Sequence, residues 1–436
     1  MSTPGEHGET RFSPREAAEA VALRLRQAGY QALFAGGCVR DELLGLTPKD
    51  YDVATNATPP EIQRLFPRAH GVGAAFGVVL VRIGGQSVEV TTFRADGAYS
   101  DSRRPDQVSY ADAPQDARRR DFTINGLYED PETGEIIDYV EGLADLEAGV
   151  IRAIGDPAAR LREDHLRALR AVRFAARFRF RLDPRTAEAI RRAASDLRGV
   201  SRERIGQEVT WMMALPARAE AATLVQSLEL DAAVLEEPHW EGPLPRLAGL
   251  RGTAGTDESV PLPTALAAWW LDRRSGGAAI ASDAEGWRKA LMLSNDDWHG
   301  MQDALRGVEA IGASWMALPV AARKRLASSP AYALGLPIVK ATEPQRAASV
   351  EQDVAELART GLAPPPLVTG DDLIAAGFQP GPAFRHVLWN VYDAQLEGRV
   401  IDRPGGLAMA RQLLEQYDSQ REGKRRARPE KRSHPG

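Results

Sequence analysis

Two aspartates separated by one residue are the first candidates for chemistry in this sequence. The segment KDYDVAT predicts a strand over 50–54, in which Asp50 and Asp52 interrupt an otherwise β-prone run. Side chains at positions i and i+2 of a strand lie on one face of the sheet, so both carboxylates are expected to point the same way. Two like charges repel unless a cation lies between them, and hard divalent ions prefer oxygen ligands. The spacing therefore predicts a Mg²⁺ site.

A third carboxylate, Glu89, lies in the segment SVEVTTF on a second predicted strand, 87–93, which could pair beside the first. Three acidic groups on neighbouring strands form a platform for two Mg²⁺ ions in phosphoryl transfer. One ion activates the attacking oxygen and the other neutralises the leaving pyrophosphate. Asp50, Asp52 and Glu89 are therefore the candidate catalytic residues, and Asp50 and Asp52 are the expected metal ligands.

The glycine pair Gly36-Gly37 precedes these acidic residues by about a dozen positions. A glycine turn after a strand allows backbone N–H groups to approach phosphates with no Cβ in the way. Arg40, in the first turn of the helix that follows, could add a planar set of donors. Alone, the glycine pair would indicate only a tight turn. Together with the two aspartates it favours a triphosphate site.

The elements that must position these residues begin as an α/β unit. The capping box SPRE starts a predicted helix over 13–28. Predicted strands follow, with helices between them, at 31–35, 50–54, 78–83, 87–93 and 135–140. From Asp156 the strand signals fade, and DPAARLREDHLRALRAVRFAARF predicts one long helix after an Asp cap. The expected fold class is α+β: an N-terminal α/β head with a small mixed sheet, followed by an all-helical neck, body and tail.

Composition narrows the class of protein. The 43% hydrophobic and 26% charged residues are ordinary for a globular chain, and no run approaches the roughly 20 apolar residues of a membrane span. The N-terminus has no apolar signal region, and one cysteine excludes a disulfide framework, so a cytoplasmic protein is expected. The net charge of −5 hides a basic end: the last sixteen residues hold seven Lys/Arg against two Glu. That terminus is expected to be disordered, either as a solubilising tail or as a contact for an anionic polymer.

Five segments resemble, in order and spacing, the tRNA nucleotidyltransferases, the CCA-adding enzymes that share a family with bacterial poly(A) polymerases. They are GGCVRDELLG…KDYDVAT, VEVTTFRADGAYSDSRRPDQV, RRRDFTINGLYED, GLADLEAGVIRAIGDP and EDHLRALRAVRFAARF. The resemblance is strong over residues 30–210, weaker through the body, and returns at 369–400. It implies template-independent addition of C, C and A to the 3′ end of tRNA from CTP and ATP, with two Mg²⁺ ions and release of pyrophosphate.

The resemblance also implies residue roles. Asp50 and Asp52 match the metal ligands, and Glu89 matches the third acidic position. The glycine turn and Arg40 match triphosphate contacts, Arg120 matches another nucleotide contact, and Asp121 and Asn125 would order that loop or the ribose. The full set of implied nucleotide-binding residues is Gly36, Gly37, Arg40, Arg120, Asp121, Asn125, Asp164, Arg167, Arg170 and Arg173.

Asp164 and Arg167 are three residues apart and are expected to be neighbours on one helical face. Together they offer acceptors and a rigid set of donors that could mimic a Watson–Crick edge. The resemblance implies that this pair reads the incoming base. The alternative for the helix alone is an i,i+3 surface salt bridge.

The resemblance implies tRNA as the partner, through its 3′ end and acceptor stem, and indicates no membrane and no protein partner. The polar segment TTFRADGAYSDSRRPDQV would be the loop used in switching from C to A. The implied divisions are an N-terminal helix over 1–30, a catalytic head over 31–155, a nucleotide-reading neck over 156–235, a body over 236–365, a tRNA-binding tail over 366–420 and a disordered basic terminus over 421–436. Alternatives are a bacterial poly(A) polymerase, an A-adding or CC-adding enzyme, and a non-catalytic RNA-binding protein.

Overall fold

The computed structural model describes residues 11–71, 77–96, 108–251, 260–274, 284–313 and 315–426. The chain divides into two compact units, one formed by 1–242 with 285–293 and the other by 243–284 with 294–436. In the described ranges every strand lies in the first unit, so the head of mixed structure and the helical remainder agree with the expected α+β class.

A six-stranded mixed sheet organises the first unit. The strands in chain order are β1 (Ala32–Ala35), β2 (Val53–Thr55), β3 (Val78–Ile83), β4 (Gln86–Thr92), β5 (Arg94–Asp96), β6 (Val108–Tyr110), β7 (Leu127–Glu129), β8 (Ile136–Asp138), β9 (Val150–Ile151) and β10 (Arg181–Leu182). The order in the large sheet is β3-β4-β2-β1-β7-β8, in which β2 and β4 pair in parallel and the other neighbours pair antiparallel. Two short pairs, β5 with β6 and β9 with β10, lie outside it.

The five predicted strands are found, but one begins later than expected, and five further strands, β5, β6, β7, β9 and β10, were not predicted. The strand expected over 50–54 begins only at Val53, so the two aspartates immediately precede it. Strand β7 was not predicted, because Leu127, Tyr128 and Glu129 are all buried and therefore show no alternation of polar and apolar side chains. The late start of β2 and the unpredicted β7 concern strands that border the candidate site.

The described residues form twenty-one α-helices, some of which connect the strands of the first unit while the others belong to the second unit. In chain order they are α1 (Pro14–Gln27), α2 (Gly37–Leu43), α3 (Pro59–Leu65), α4 (Ala113–Arg118), α5 (Gly142–Glu147), α6 (Pro157–Glu163), α7 (Arg167–Phe178), α8 (Pro184–Arg192), α9 (Arg202–Met213), α10 (Arg218–Ser227), α11 (Asp231–Leu235), α12 (Pro245–Gly249), α13 (Leu262–Asp272), α14 (Glu285–Ala290), α15 (Asn295–Ala313), α16 (Val320–Ala327), α17 (Pro330–Thr342), α18 (Pro344–Ala358), α19 (Gly370–Ala375), α20 (Pro382–Leu396) and α21 (Arg403–Arg426). None of these helices has the length and apolar character that a bilayer span needs.

The helix α1 begins at the predicted capping box. The Ser13 N–H donates to the Glu16 carboxylate at 2.7 Å, and the Ser13 hydroxyl accepts from the Glu16 N–H at 3.3 Å. Its apolar side, which includes Val21 and Leu25, is fully buried against the sheet. This helix therefore covers one face of the sheet and leaves the other face for the site.

The single long helix expected from Asp156 is wrong, because α6 ends at Glu163 and α7 begins at Arg167. Asp156 does cap α6, accepting the Ala159 N–H at 3.0 Å. Asp164 has an extended backbone, with φ −152° and ψ 104°, and its carboxylate accepts the Leu166 N–H at 3.0 Å. A short acidic side chain that bonds its own nearby backbone competes with the helical hydrogen bonds. Asp164 and Arg167 consequently do not share a helical face.

The described residues of the second unit form helices and loops with no strand, and the helices are α12, α13 and α15–α21. Its last helix continues to Arg426, so residues 421–426 are helical rather than disordered as expected. The rest of the basic terminus, 427–436, lies outside the described residues, as does 97–107 of the segment expected to act in switching from C to A.

Candidate active site

Strand β1 leads into a glycine turn that is fixed by its contacts. Gly36 has φ +75° and ψ −114°, and its N–H donates to the Leu127 carbonyl of β7 at 2.9 Å. A Cβ at Gly36 would lie 2.5 Å from Arg120 Nη1, whereas a Cβ at Gly37 would lie 3.8 Å from Arg40 Nη2, an ordinary contact. Glycine is therefore needed at Gly36 both for its conformation and for the close approach of a guanidinium group.

The two aspartates are expected on the sheet face opposite to Tyr51. The Tyr51 ring packs edge-on against Phe34, with ring centroids 5.3 Å apart. Because successive side chains of an extended segment alternate between faces, Asp50 and Asp52 are expected to share the other face. Asp50 is exposed and Asp52 is partly buried. The common orientation of the two carboxylates therefore stays a prediction.

The third carboxylate is brought beside Asp52 by strand pairing. Val53 of β2 lies opposite Val90 of β4 in parallel register, so the residues just before them, Asp52 and Glu89, are neighbours. Burial, followed by the charges of Glu89 and Asp50, raises the pKa of Asp52 to about 6, against the opposing effect of Arg120. Glu89, Asp50 and Arg120 are therefore each within electrostatic range of Asp52.

The acidic group fits a divalent cation through its chemistry. Among the residues that the structure describes, no three His, Cys, Asp or Glu side chains form a complete metal-binding cluster. Mg²⁺ is commonly held by one or two carboxylates together with substrate phosphates and water, so two aspartates are sufficient protein ligands. The negative charges of Glu89 and Asp50 add to the effect of burial in raising the pKa of Asp52. A bound cation relieves repulsion of this kind.

Arg120 is held in place by Asp116, a residue that sequence reasoning missed. Asp116 is fully buried, and its Oδ2 lies 3.2 Å from Arg120 Nη2 and accepts from the Tyr128 hydroxyl at 2.7 Å. Arg120 Nη1 donates to the Asn125 carbonyl at 3.3 Å, and its guanidinium carbon lies 5.1 Å from the Tyr128 ring centroid. A carboxylate four residues before Arg120 was the available signal. Arg120 is thus fixed beside Gly36, with Asp116 bonded to it and Asp52 within electrostatic range.

Arg40 lies away from solvent, contrary to the expectation that it extends donors toward a phosphate. It is 4% exposed, and its Nε and Nη2 donate to Asp41 Oδ1 at 2.8 and 2.6 Å. Its Nη1 donates to Asn125 Oδ1. Asn125 Nδ2 in turn donates to Asp121 Oδ1 at 2.9 Å. In this arrangement Arg40 orders the loop of Asp121 and Asn125, which itself follows Arg120.

Helix α7 is joined to this loop and to α2 by two ion pairs. Arg170 Nε donates to Asp121 Oδ2 at 2.8 Å, and Arg177 Nη2 lies 2.8 Å from Asp41 Oδ2. Burial opposes the ionisation of Asp121, but Arg170 and the Asn125 hydrogen bond lower its pKa to about 2. We refer to the connected set as the α2–α7 network; its members are Arg40, Asp41, Asp121, Asn125, Arg170 and Arg177.

A buried phenylalanine packs inside this network. The Phe174 ring centroid lies 4.5 Å from the guanidinium carbon of Arg173, 5.1 Å from that of Arg40 and 5.3 Å from that of Arg170. Phe174 is 4% exposed and packs edge-on against Phe122. Cation–π contacts stabilise such an arrangement, more so when they are desolvated. This role could not be predicted from the sequence, because Phe174 has the pattern of an ordinary apolar core position in a helix.

The two residues expected to read the base are close in the chain but bind other partners. Asp164 Oδ2 lies 2.6 Å from Arg204 Nη2 of α9. Arg167 Nη1 donates to the Glu163 carboxylate and, at 2.8 Å, to the Arg160 carbonyl. Both the shared helical face and the alternative i,i+3 salt bridge are therefore wrong. Base reading by these residues stays a prediction.

Two family models match the chain. The "Poly A polymerase head domain" matches residues 32–152, and the "Probable RNA and SrmB- binding site of polymerase A" matches residues 179–237. The CCA-adding enzyme of Levilactobacillus brevis is 34% identical over 402 residues, which cover 91% of this chain and 97% of that protein. Poly(A) polymerase I of Salmonella typhi is 43% identical over 215 residues, covering 47% of this chain and 46% of the relative.

Known structures show the same fold. The CCA-adding enzyme of Bacillus stearothermophilus in complex with CTP superposes with a TM-score of 0.73 and 26% identity, covering 94% of this chain and 100% of that one. The Thermotoga maritima CCA-adding enzyme complexed with tRNA has a TM-score of 0.66 over 93% of this chain and 97% of that one. At 18% identity, the second likeness concerns the fold alone.

Proposed function

We infer the activity from the family to which the chain belongs, the tRNA nucleotidyltransferases known as CCA-adding enzymes: it adds C, C and A to the 3′ end of tRNA from CTP and ATP, without a template. The match at 34% identity extends over 97% of a CCA-adding relative, and it includes both the head and the RNA-binding segment. The comparison with the CTP complex covers almost the whole of this chain.

One structural observation supports a transfer site beside the glycine turn: Arg120 lies against Gly36 and within electrostatic range of Asp52, and Asp50 is also within range of Asp52. In the proposed reaction the tRNA 3′-hydroxyl attacks the α-phosphate of the nucleotide in line, and pyrophosphate leaves. The backbone N–H groups that follow Gly36 at the start of α2 bind the triphosphate, and Arg120 stabilises its charge. Mg²⁺ held by Asp50 and Asp52, with Glu89 beside them, would supply activation of the attacking oxygen and neutralisation of the leaving group.

Base choice is assigned to the junction between α6 and α7. Asp164 supplies acceptors and Arg167 supplies donors, and each would exchange its present partner for an edge of the incoming base. Arg170 and Arg173 lie on the same helix as Arg167 and keep it in place against the head and α9. The tRNA itself would be held by its 3′ end and acceptor stem, chiefly through phosphates and A-form shape.

The direct test uses tRNA transcripts that end before CCA, after the first C and after CC, each with labelled CTP or ATP. The expected result is completion to CCA and no further addition. A long adenylate ladder would instead indicate a poly(A) polymerase, the candidate favoured by the 43% identity to such an enzyme over half of the chain. Absence of incorporation would contradict both enzymes and leave a non-catalytic RNA-binding protein.

A variant separates catalysis from binding. Asp52→Asn keeps the size of the side chain but removes its charge, so it is expected to abolish incorporation while tRNA affinity stays within about twofold. Glu132→Gln is the matched control, because Glu132 is an exposed acid that pairs with Arg26 at the surface of the same unit. Full incorporation by Asp52→Asn would remove the basis for the metal assignment.

A further inference from the structure

An exposed tryptophan lies near the candidate site and has no role in the function described above. Trp211 lies on α9 with 47% of its surface exposed, although tryptophan is on average a largely buried residue. The guanidinium carbon of Arg173, from α7, lies 5.0 Å from the ring centroid. An exposed aromatic ring next to a cation is the arrangement on which proteins stack single-stranded nucleobases.

A single guanidinium group connects Trp211 to the α2–α7 network. The same Arg173 carbon lies 4.5 Å from the Phe174 ring centroid, and that ring contacts two arginines of the network. Arg173 Nε also donates to Glu208 Oε2 at 2.6 Å, and Glu208 precedes Trp211 by three residues on α9. The buried carboxylate therefore fixes the guanidinium between the two rings.

The position of the ring along α9 indicates which nucleobase it would meet. Arg204, seven residues before Trp211, binds Asp164, which is assigned to the incoming base. Residues seven apart on a helix lie on one face, separated by roughly 10 Å along the axis. This separation is too large for the base read at Asp164 to stack on Trp211. It suits the adjoining nucleotide, which is the last nucleotide of the RNA.

We propose that Trp211 stacks on the 3′-terminal nucleobase of the RNA primer and so helps to position the 3′-hydroxyl for attack. The proposal rests on the proposed function and adds a primer-binding residue to it. Stacking accepts every base, since each has a π face. That property suits a primer whose last base changes after each addition.

The test compares Trp211→Ala with the wild-type enzyme on two tRNA transcripts that end after the first C. They differ only in whether the last nucleotide carries its base or is abasic. With the base present, kcat/KM for the transcript is expected to fall roughly 5- to 150-fold in the variant, the range for one stacked base. With the abasic transcript the two enzymes are expected to be equally slow, because no base is left to stack. The KM for CTP is expected to stay unchanged.

Two further variants distinguish the effect of the aromatic face of Trp211 from the effect of its volume. Trp211→Phe retains an aromatic face and is expected to restore most of the rate, whereas Trp211→Leu retains only apolar volume and is expected to behave like Trp211→Ala. Leu23→Ala, which shortens a 55% exposed apolar side chain on α1, controls for truncation at the surface.

Two outcomes would overturn the proposal. An equal loss on both transcripts would indicate that Trp211 supports the structure, and a raised KM for CTP without an effect of the terminal base would assign the ring to the incoming nucleotide. If the wild-type enzyme adds nothing to the transcript that carries its base, the proposed function itself fails. The two failures are therefore distinguishable.

Discussion

Replacement of Gly36 by alanine tests whether the glycine turn and Arg120 form one functional unit. The backbone of Gly36, at φ +75° and ψ −114°, lies in a region that residues with a Cβ rarely adopt. Holding alanine there costs about 1–3 kcal/mol. The new Cβ would also lie 2.5 Å from Arg120 Nη1, and displacing that group loses its bond to the Asn125 carbonyl, about 1 kcal/mol more.

Together these terms predict that the free energy of unfolding of the first unit falls by roughly 2–4 kcal/mol. This corresponds to a fall in its Tm of about 5–10 °C. Arg120 is a long side chain, but Asp116 and Tyr128 restrict where it can move. Its displacement from Asp52 and from the triphosphate is expected to lower kcat/KM for CTP at least about 10-fold, equivalent to about 1.4 kcal/mol. Differential scanning fluorimetry and single-nucleotide incorporation kinetics measure the two effects.

Gly37→Ala is the matched control, because it adds the same methyl group one residue later. Gly37 begins α2, and the added Cβ would make only an ordinary contact at 3.8 Å from Arg40. Its Tm is expected to stay level or rise, since alanine favours a helix over glycine by about 1 kcal/mol. If the Gly37 N–H binds a phosphate at close range, the added methyl group is expected to raise the KM for CTP without lowering the Tm. Equal Tm values and equal kinetics for the two variants would refute the reasoning about Gly36.

Three further predictions concern single side chains. Because Arg170 and the Asn125 hydrogen bond outweigh burial and lower the pKa of Asp121 to about 2, the ionised Asp121 carboxylate contributes about 2 kcal/mol of stability above about pH 4, which is lost as the pH falls through the folded-state pKa. The Tm difference between the wild type and Asp121→Asn should therefore narrow on going from about pH 6 to about pH 3, and a constant difference would contradict the ion pair. Burial raises the pKa of the Cys38 thiol to about 12, so a thiol reagent at about pH 8 should label the unfolded chain and leave the native enzyme unlabelled. Asp164→Ala should reduce discrimination between CTP and GTP by roughly 5- to 150-fold, the worth of one bidentate base contact, and an unchanged ratio would reject base reading at this position.

The parts of the site that follow from short-range spacing could be predicted. The proximity of Asp50 to Asp52 depends only on their spacing in the chain, and the turn depends only on Gly36. The break between α6 and α7 could not be predicted, because Asp164 lies in a run of good helix formers. Its cause is a local side-chain bond together with an ion pair to Arg204, forty residues away.

The orientation of Arg40 was equally inaccessible from the sequence. An arginine in the first turn after a glycine pair is exposed or buried according to what packs above it, and here that is Phe174 and Phe178 from α7. Its hydrogen-bond partner Asn125 lies 85 residues further along the chain. The roles of Asp116 and Glu208 could not be predicted for the same reason. Nothing in the sequence distinguishes a buried, paired acid from an exposed one until its partner is known.

The α2–α7 network has a consequence for how this sequence can change over time. Each of its carboxylates faces a guanidinium group, and each internal member bonds two others. Removing one member leaves a partner charge without its counter-ion in a poorly solvated place, which costs more than the lost bond itself. Related chains are therefore expected to keep all six residues or to replace opposed pairs together, so that the positions of α2 and α7 covary even where neither touches a substrate.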